Sequence, residues 1–139
     1  MFCLCDSKTN YLYNFEIFSG DVNFNDEGGS IAKYIVHKLS EPLADTGHHI
    51  FMDKWYSSPI LFQKLQEKGI GATGLVSENA KGIPKDIIHA YEVDLIETEI
   101  RAHRSKNLLF IQWKDLVLVN VLSTVYDSSK IKQAKRNYV

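Results

Sequence analysis

Apolar and polar positions change rhythm several times along this chain, and each rhythm predicts an element. Met1 to Cys5 is a short apolar run that ends at Asp6, and Ser7-Lys8-Thr9-Asn10 is a polar cluster of the sort that turns a chain. From Tyr11 onward every second residue is large and apolar, with Tyr11, Tyr13, Phe15 and Ile17 on one face. That period of two is the signature of a strand, so the two runs and their turn predict a hairpin. After a polar loop over Asp21–Gly29, Ser30 stands as an N-cap ahead of Ile31, Tyr34, Ile35 and Leu39 at helical spacing, and Pro42 ends or kinks the helix.

The next run, His48-His49-Ile50-Phe51-Met52-Asp53, predicts a strand that delivers an acid at its carboxyl end. Ser57-Ser58-Pro59 then joins an N-cap to a proline at the first helical position, Leu61, Phe62 and Leu65 form an apolar face, and Gly69 is the stop. Ile70–Val76 predicts another strand, loosened by Gly71 and Gly74. Val93–Arg101 is rich in charge and only weakly periodic, whereas Leu108–Trp113 and Leu116–Leu122, flanking Lys114-Asp115, predict a second hairpin. Strands alternating with helices predict an α/β fold in which strands separated by a helix lie parallel and helices cover the sheet. Three parts are expected: residues 1–84, a β-rich segment over 85–125, and a basic tail or linker over 126–139 carrying Lys130, Lys132, Lys135 and Arg136.

Composition narrows the classes. A chain of 139 residues, 45% hydrophobic and 24% charged, suffices for one globular domain with its own core. The formal charge of -1 predicts no global attraction to nucleic acid or acidic membranes, so a polyanion would have to be met by a local patch. The sequence lacks an apolar run of membrane-spanning length and opens without the basic, then apolar, pattern of a signal peptide, so an intracellular protein is expected. Cys3 and Cys5 are too few for a zinc site and, two apart on a strand, badly placed to pair with each other; buried or half-buried thiols are expected.

Asp6 and Asp53 both close a strand, the place where α/β sheets hold functional side chains rigidly beside open loops. If their strands are neighbours the acids converge, and with a third acid such a set holds hard divalent cations of the Mg²⁺ type for phosphodiester displacement. Acids at strand ends also serve as turn formers and caps, and spacing alone favours that plainer role. His48 and His49 point to opposite faces of a strand and cannot share an ion, so hydrogen-bonded or surface histidines are expected. Ser57 and Ser58 are accounted for by capping, and Trp55 and Tyr56 by packing, with base stacking as the alternative.

Four stretches resemble, in order and spacing, the transposase domain of the piggyBac family and the piggyBac-derived proteins of animals: "LCDSKTNYLYNFEIFSG" (4–20), "LSEPLADTGHHIFMDKWYSSPILFQKL" (39–65), "GLVSENAKGIP" (74–84) and "WKDLVLVNVLSTV" (113–125). The resemblance implies an RNase H-like fold, with 85–125 as a β-rich insertion. It also implies cut-and-paste DNA transposition by a site of three aspartates holding Mg²⁺ or Mn²⁺, and by that activity a nuclear protein with DNA, not a small molecule or a membrane, as its partner. Asp6 matches the first aspartate, in "CDS", and Asp53 the second, in "DNWYSS". The family's third lies in a later "GGVD" motif that these 139 residues do not contain, so the chain alone is expected to be inactive and its fold incomplete, with open sheet edges that favour self-association. Lys54 replaces the asparagine that usually follows the second aspartate, where it either points away or pairs with Asp53. Ser77 and Ala80 stand where arginines are common, which leaves Lys81 and Lys54 as the candidate phosphate contacts. Two other readings stay open beside the inactive segment: a transposase-derived module that binds DNA or protein without cutting, and a generic α/β interaction domain.

Overall fold

The computed structural model describes residues 1–20, 30–77, 80–83, 100–114 and 117–126. The loop expected over 21–29, most of the charge-rich stretch before Ile100 and the basic tail after Tyr126 lie outside the described residues.

The first hairpin forms where the alternation places it, as β1 (Phe2–Cys5) and β2 (Leu12–Glu16), antiparallel with an irregularity between Leu4 and Cys5. Helix α1 (Ile31–Ser40) follows, then a 3₁₀ turn over Glu41–Leu43 that contains Pro42. Next come β3 (His49–Met52), α2 (Pro59–Glu67) and β4 (Gly71–Leu75). Ser58 caps α2 as expected, its hydroxyl accepting from the Leu61 amide at 3.3 Å, with Pro59 in the first turn. Ser30 precedes α1 in extended conformation but makes no side-chain cap bond. The chain finishes in β5 (Ile100–Ser105), β6 (Leu108–Lys114) and β7 (Leu118–Ser123).

Five strands form one sheet in the order β3-β4-β7-β6-β5. β3 and β4, joined by α2, are parallel, as the alternation of elements requires, and the other pairs are antiparallel. β7 pairs directly with β4, so the strands on either side of residue 84 share a single sheet. β5 is not predicted by the hydrophobic pattern: its sequence, IRAHRS, carries two arginines and a histidine. It lies at the end of the sheet, where charged residues suit an edge strand better than apolar alternation does.

Both helices pack toward one face. Leu61, Phe62 and Leu65 are fully buried there with Ile50, Ala72, Phe110 and Leu122 of the sheet. Each of the leucine, isoleucine and phenylalanine side chains contributes roughly 1.5–3 kcal/mol through burial. The β1–β2 hairpin is held to α1 by the Asn14 amide, which donates to the Leu39 carbonyl at 3.1 Å, and by Lys38 paired with Glu16 at 2.8 Å. Phe2 and Leu4 are half-buried, so the alternation turns Cys3 and Cys5 outward. Both thiols are exposed, which corrects the expectation that they are buried.

Candidate functional site

Asp6 sits where β1 gives way to the turn, and its carboxylate is already engaged. The Thr9 hydroxyl donates to Oδ2, the Thr9 amide donates to the same oxygen at 3.0 Å, and the Lys8 amide reaches Oδ1 at 3.4 Å. These bonds, the Thr9 hydroxyl first, hold the carboxyl below its ordinary range. The main chain closes the same turn, with the Asn10 amide donating to the Asp6 carbonyl at 2.8 Å and Asn10 in the left-handed region at φ 60. Asp6 is therefore the turn-forming aspartate of its hairpin, a role that the polar sequence after it makes possible.

Asp53 follows β3 directly and is exposed. Its carbonyl accepts from the Tyr56 and Ser57 amides and from the Ser57 hydroxyl at 3.0 Å, so the residue opens a tight turn into α2. Beneath the turn lies Gly74: a Cβ on it would stand 2.3 Å from Ser57 Oγ and 2.4 Å from the Met52 carbonyl oxygen. Only a residue without a side chain lets β4 pass that close. Lys54 is exposed beside Leu75–Ser77 and Val117–Asn120 in a shallow cleft at the carboxyl ends of β3 and β4. Among the described residues no ion pair joins Lys54 to Asp53. Lys81 is exposed in the turn after β4, and a Cβ on its neighbour Gly82 would meet Pro59 at the start of α2. Asp53, Lys54 and Lys81 thus occupy the same end of the parallel pair, the end at which α/β sheets bind ligands.

Asp6 is not with them. No ladder bonds join β1 to β3. Phe2 stacks on Trp55 with centroids 5.8 Å apart and meets Tyr56 edge-on at 6.4 Å, and the cleft beside it is lined by Phe2–Leu4, Met52 and Asp53. At the other end, Cys5 and Asp6 line a cleft of about 290 Å³ with His48 and His49. β1 therefore runs along the edge of β3 in the opposite direction, and the two acids lie at opposite ends of that strand. The span from His49 to Asp53 is about 13 Å at the usual rise per strand residue.

A magnesium-type ion needs several oxygens converging from different elements. As placed, Asp6 and Asp53 do not converge on one: Asp6 shares a cleft with His48 and His49, and Asp53 shares one with Phe2 and Met52. No group of three His, Cys, Asp or Glu suited to a metal occurs among the described residues. His48 and His49 are hydrogen-bonded, as expected. His48 Nδ1 meets the Thr46 hydroxyl, and His49 Nε2 meets the Thr73 hydroxyl at 2.9 Å. Trp55, expected to pack, keeps 53% of its surface exposed while stacking on Phe2, whereas Tyr56 packs against the core. Sequence reasoning did not find the continuation of the His49 bond through Thr73 to Ser123 at 2.7 Å. Strand register sets Thr73 opposite Ser123 and one diagonal step from His49.

A parallel strand pair extended by antiparallel strands, with helices packed on one face and an acid closing the first parallel strand, defines an α/β fold of the RNase H-like type. Residues 1–138 match the family described as transposase IS4, and the chain belongs to that family. The human protein named PiggyBac transposable element-derived protein 2 is 28% identical over 117 residues, which cover 81% of this chain and 19% of the relative. The fold superposes on a piggyBac transposase solved by cryo-EM as a synaptic complex with hairpin DNA, with a TM-score of 0.80 at 22% identity over 94% of this chain and 28% of that one. The resemblance carried by the four motifs is borne out, and the chain spans less than a third of either protein's length.

Proposed function

We propose that the chain is a segment of a DNA transposase domain that presents the carboxyl end of its parallel strand pair to DNA and does not by itself cut it. The observation that supports this reading is that Asp6 lines a cleft with His48 and His49 whereas Asp53 lines one with Phe2 and Met52, which sets the two acids apart along β3. The family's roles for Asp6 and Asp53, as two of three metal-holding acids, require the hairpin to lie differently against β3 and a third acid from beyond these residues. In the present arrangement Lys54 and Lys81 are the groups left to face phosphates, and the DNA in the solved transposase complex supports that partner. A protein acting on chromosomal DNA works in the nucleus. Among the described residues no helix is long and apolar enough to cross a membrane.

A second reading, a transposase-derived module that binds without catalysis, is favoured by Lys54 beside Asp53 and by Ser77 and Ala80 in place of common arginines. One set of assays addresses both. Supercoiled DNA incubated with the chain and Mn²⁺ or Mg²⁺ is expected to show no more nicking or strand transfer than with Asp53→Asn. Nicking by the wild type that Asp53→Asn abolishes would overturn the proposal. Binding measured across salt concentrations is expected to fall with a log–log slope of about -2, as for two phosphate contacts, and to flatten in Lys54→Ala/Lys81→Ala. Binding that ignores salt would remove DNA as the partner of this surface.

A further inference from the structure

A row of hydrogen bonds crosses three adjacent strands. His49 Nε2 lies 2.9 Å from Thr73 Oγ1, and Thr73 Oγ1 lies 2.7 Å from Ser123 Oγ. The row continues past the end of β7, because the amides of Val125 and Tyr126 both donate to Ser123 Oγ, at 3.2 and 3.3 Å. Those residues form a short strap held at further points. The Thr124 amide donates to the Ala72 carbonyl and the Ala72 amide donates to the Thr124 hydroxyl, both at 2.9 Å. Val125 lies so close over Gly71 that a Cβ there would be 2.4 Å from Val125 Cγ2. The Tyr126 ring meets the His49 ring with centroids 5.6 Å apart, and Phe51 lies 4.1 Å from the same imidazole.

Proton counting gives the row a direction. A hydroxyl has one hydrogen to donate and two lone pairs to accept with. Both lone pairs of Ser123 are used by the strap amides, so its hydrogen goes to Thr73 Oγ1. If each hydroxyl of the row donates onward, the Thr73 hydrogen goes to His49 Nε2, and the ring is then neutral with its proton on Nδ1.

We propose that His49, Thr73 and Ser123 form a latch that holds the strap Thr124–Tyr126 across the sheet, and that protonation of His49 loosens it. A protonated Nε2 donates instead of accepting, so Thr73 would receive hydrogens from both sides and its own hydrogen would lose its acceptor. The charge would also be poorly compensated. The groups facing His49 are Thr73, Phe51 and Tyr126 in contact, with Cys5, Asp6, Tyr13 and His48 around the cleft. Asp6 alone of these is anionic at neutral pH, and its oxygens serve Thr9 and Lys8. Burial holds His49 below its ordinary value of 6.5. The folded state thus prefers the neutral ring, so the latch is complete above pH 6.5 and is lost as pH falls through the lower folded-state value of His49.

Nuclear magnetic resonance of the whole chain tests the proposal. At pH 7.5 the imidazole nitrogens of His49 are expected to report the Nδ1–H tautomer. Exchange protection factors of the Val125 and Tyr126 amides, each corrected for intrinsic rate, are expected to fall about tenfold between pH 7.5 and a pH at which the imidazole resonances show His49 protonated, the loss of roughly one hydrogen bond. His49→Phe should make protection independent of pH, and Thr73→Val should lower it at both values. An Nε2–H tautomer at pH 7.5, or protection in the wild type that is equal at the two pH values, would overturn the latch. Both of those readouts come from the wild type and survive a variant that fails to fold.

Discussion

Gly74 lies under the turn that carries Asp53, and its missing side chain sets how closely that turn approaches β4. Gly74→Ala would drive a methyl group into Ser57 Oγ and the Met52 carbonyl, and the backbone oxygen has nowhere to go. The expected cost is about 1–3 kcal/mol of stability in urea unfolding, accompanied by shifted amide resonances at Lys54–Tyr56. Part of this chemistry is legible in the sequence. Asp6 followed by Ser7-Lys8-Thr9-Asn10 announces a carboxylate that hydrogen-bonds its own turn, which the structure shows. The direction of β1 along β3 is not legible, because it depends on Phe2 finding Trp55 and Tyr56, contacts between residues more than fifty positions apart. The latch is hidden for the same reason: nothing in the separate surroundings of His49, Thr73 and Ser123 says that register sets Thr73 opposite Ser123 and diagonal to His49.

Elements whose start, face and stop agree in the sequence form as read. Helix α2 has all three, Ser58 with Pro59, the Leu61, Phe62 and Leu65 face, and Gly69 at φ 68 beyond its end. The two serine caps differ in what they do. Ser58→Ala removes a real cap bond and is expected to cost about 1 kcal/mol, whereas Ser30→Ala removes none and should stay within about 0.5 kcal/mol. Thermal or urea unfolding of the two variants side by side measures the contrast, and equal losses would contradict it. β5 escapes the pattern because an edge strand draws its stability from pairing with β6 and does not need an apolar face of its own. The outward thiols of Cys3 and Cys5 escape it because alternation says that faces differ, and the hairpin's docking decides which one is covered.

The whole molecule is a two-part arrangement. A five-stranded mixed sheet with α1 and α2 packed toward one face forms the main body, and the β1–β2 hairpin rests on the edge of β3 through side chains instead of ladder bonds. The family and fold follow from the chain as a unit, whereas cooperation between Asp6 and Asp53 depends on how the hairpin meets that edge. Paramagnetic Mn²⁺ titrated into the ¹⁵N-labelled chain tests this most directly, since the ion broadens only amides close to where it binds. The account predicts that Ser7 and Lys54 do not broaden together at stoichiometric Mn²⁺. Joint broadening of the two at about one equivalent, abolished by Asp53→Asn, would show that the acids share an ion and would contradict it.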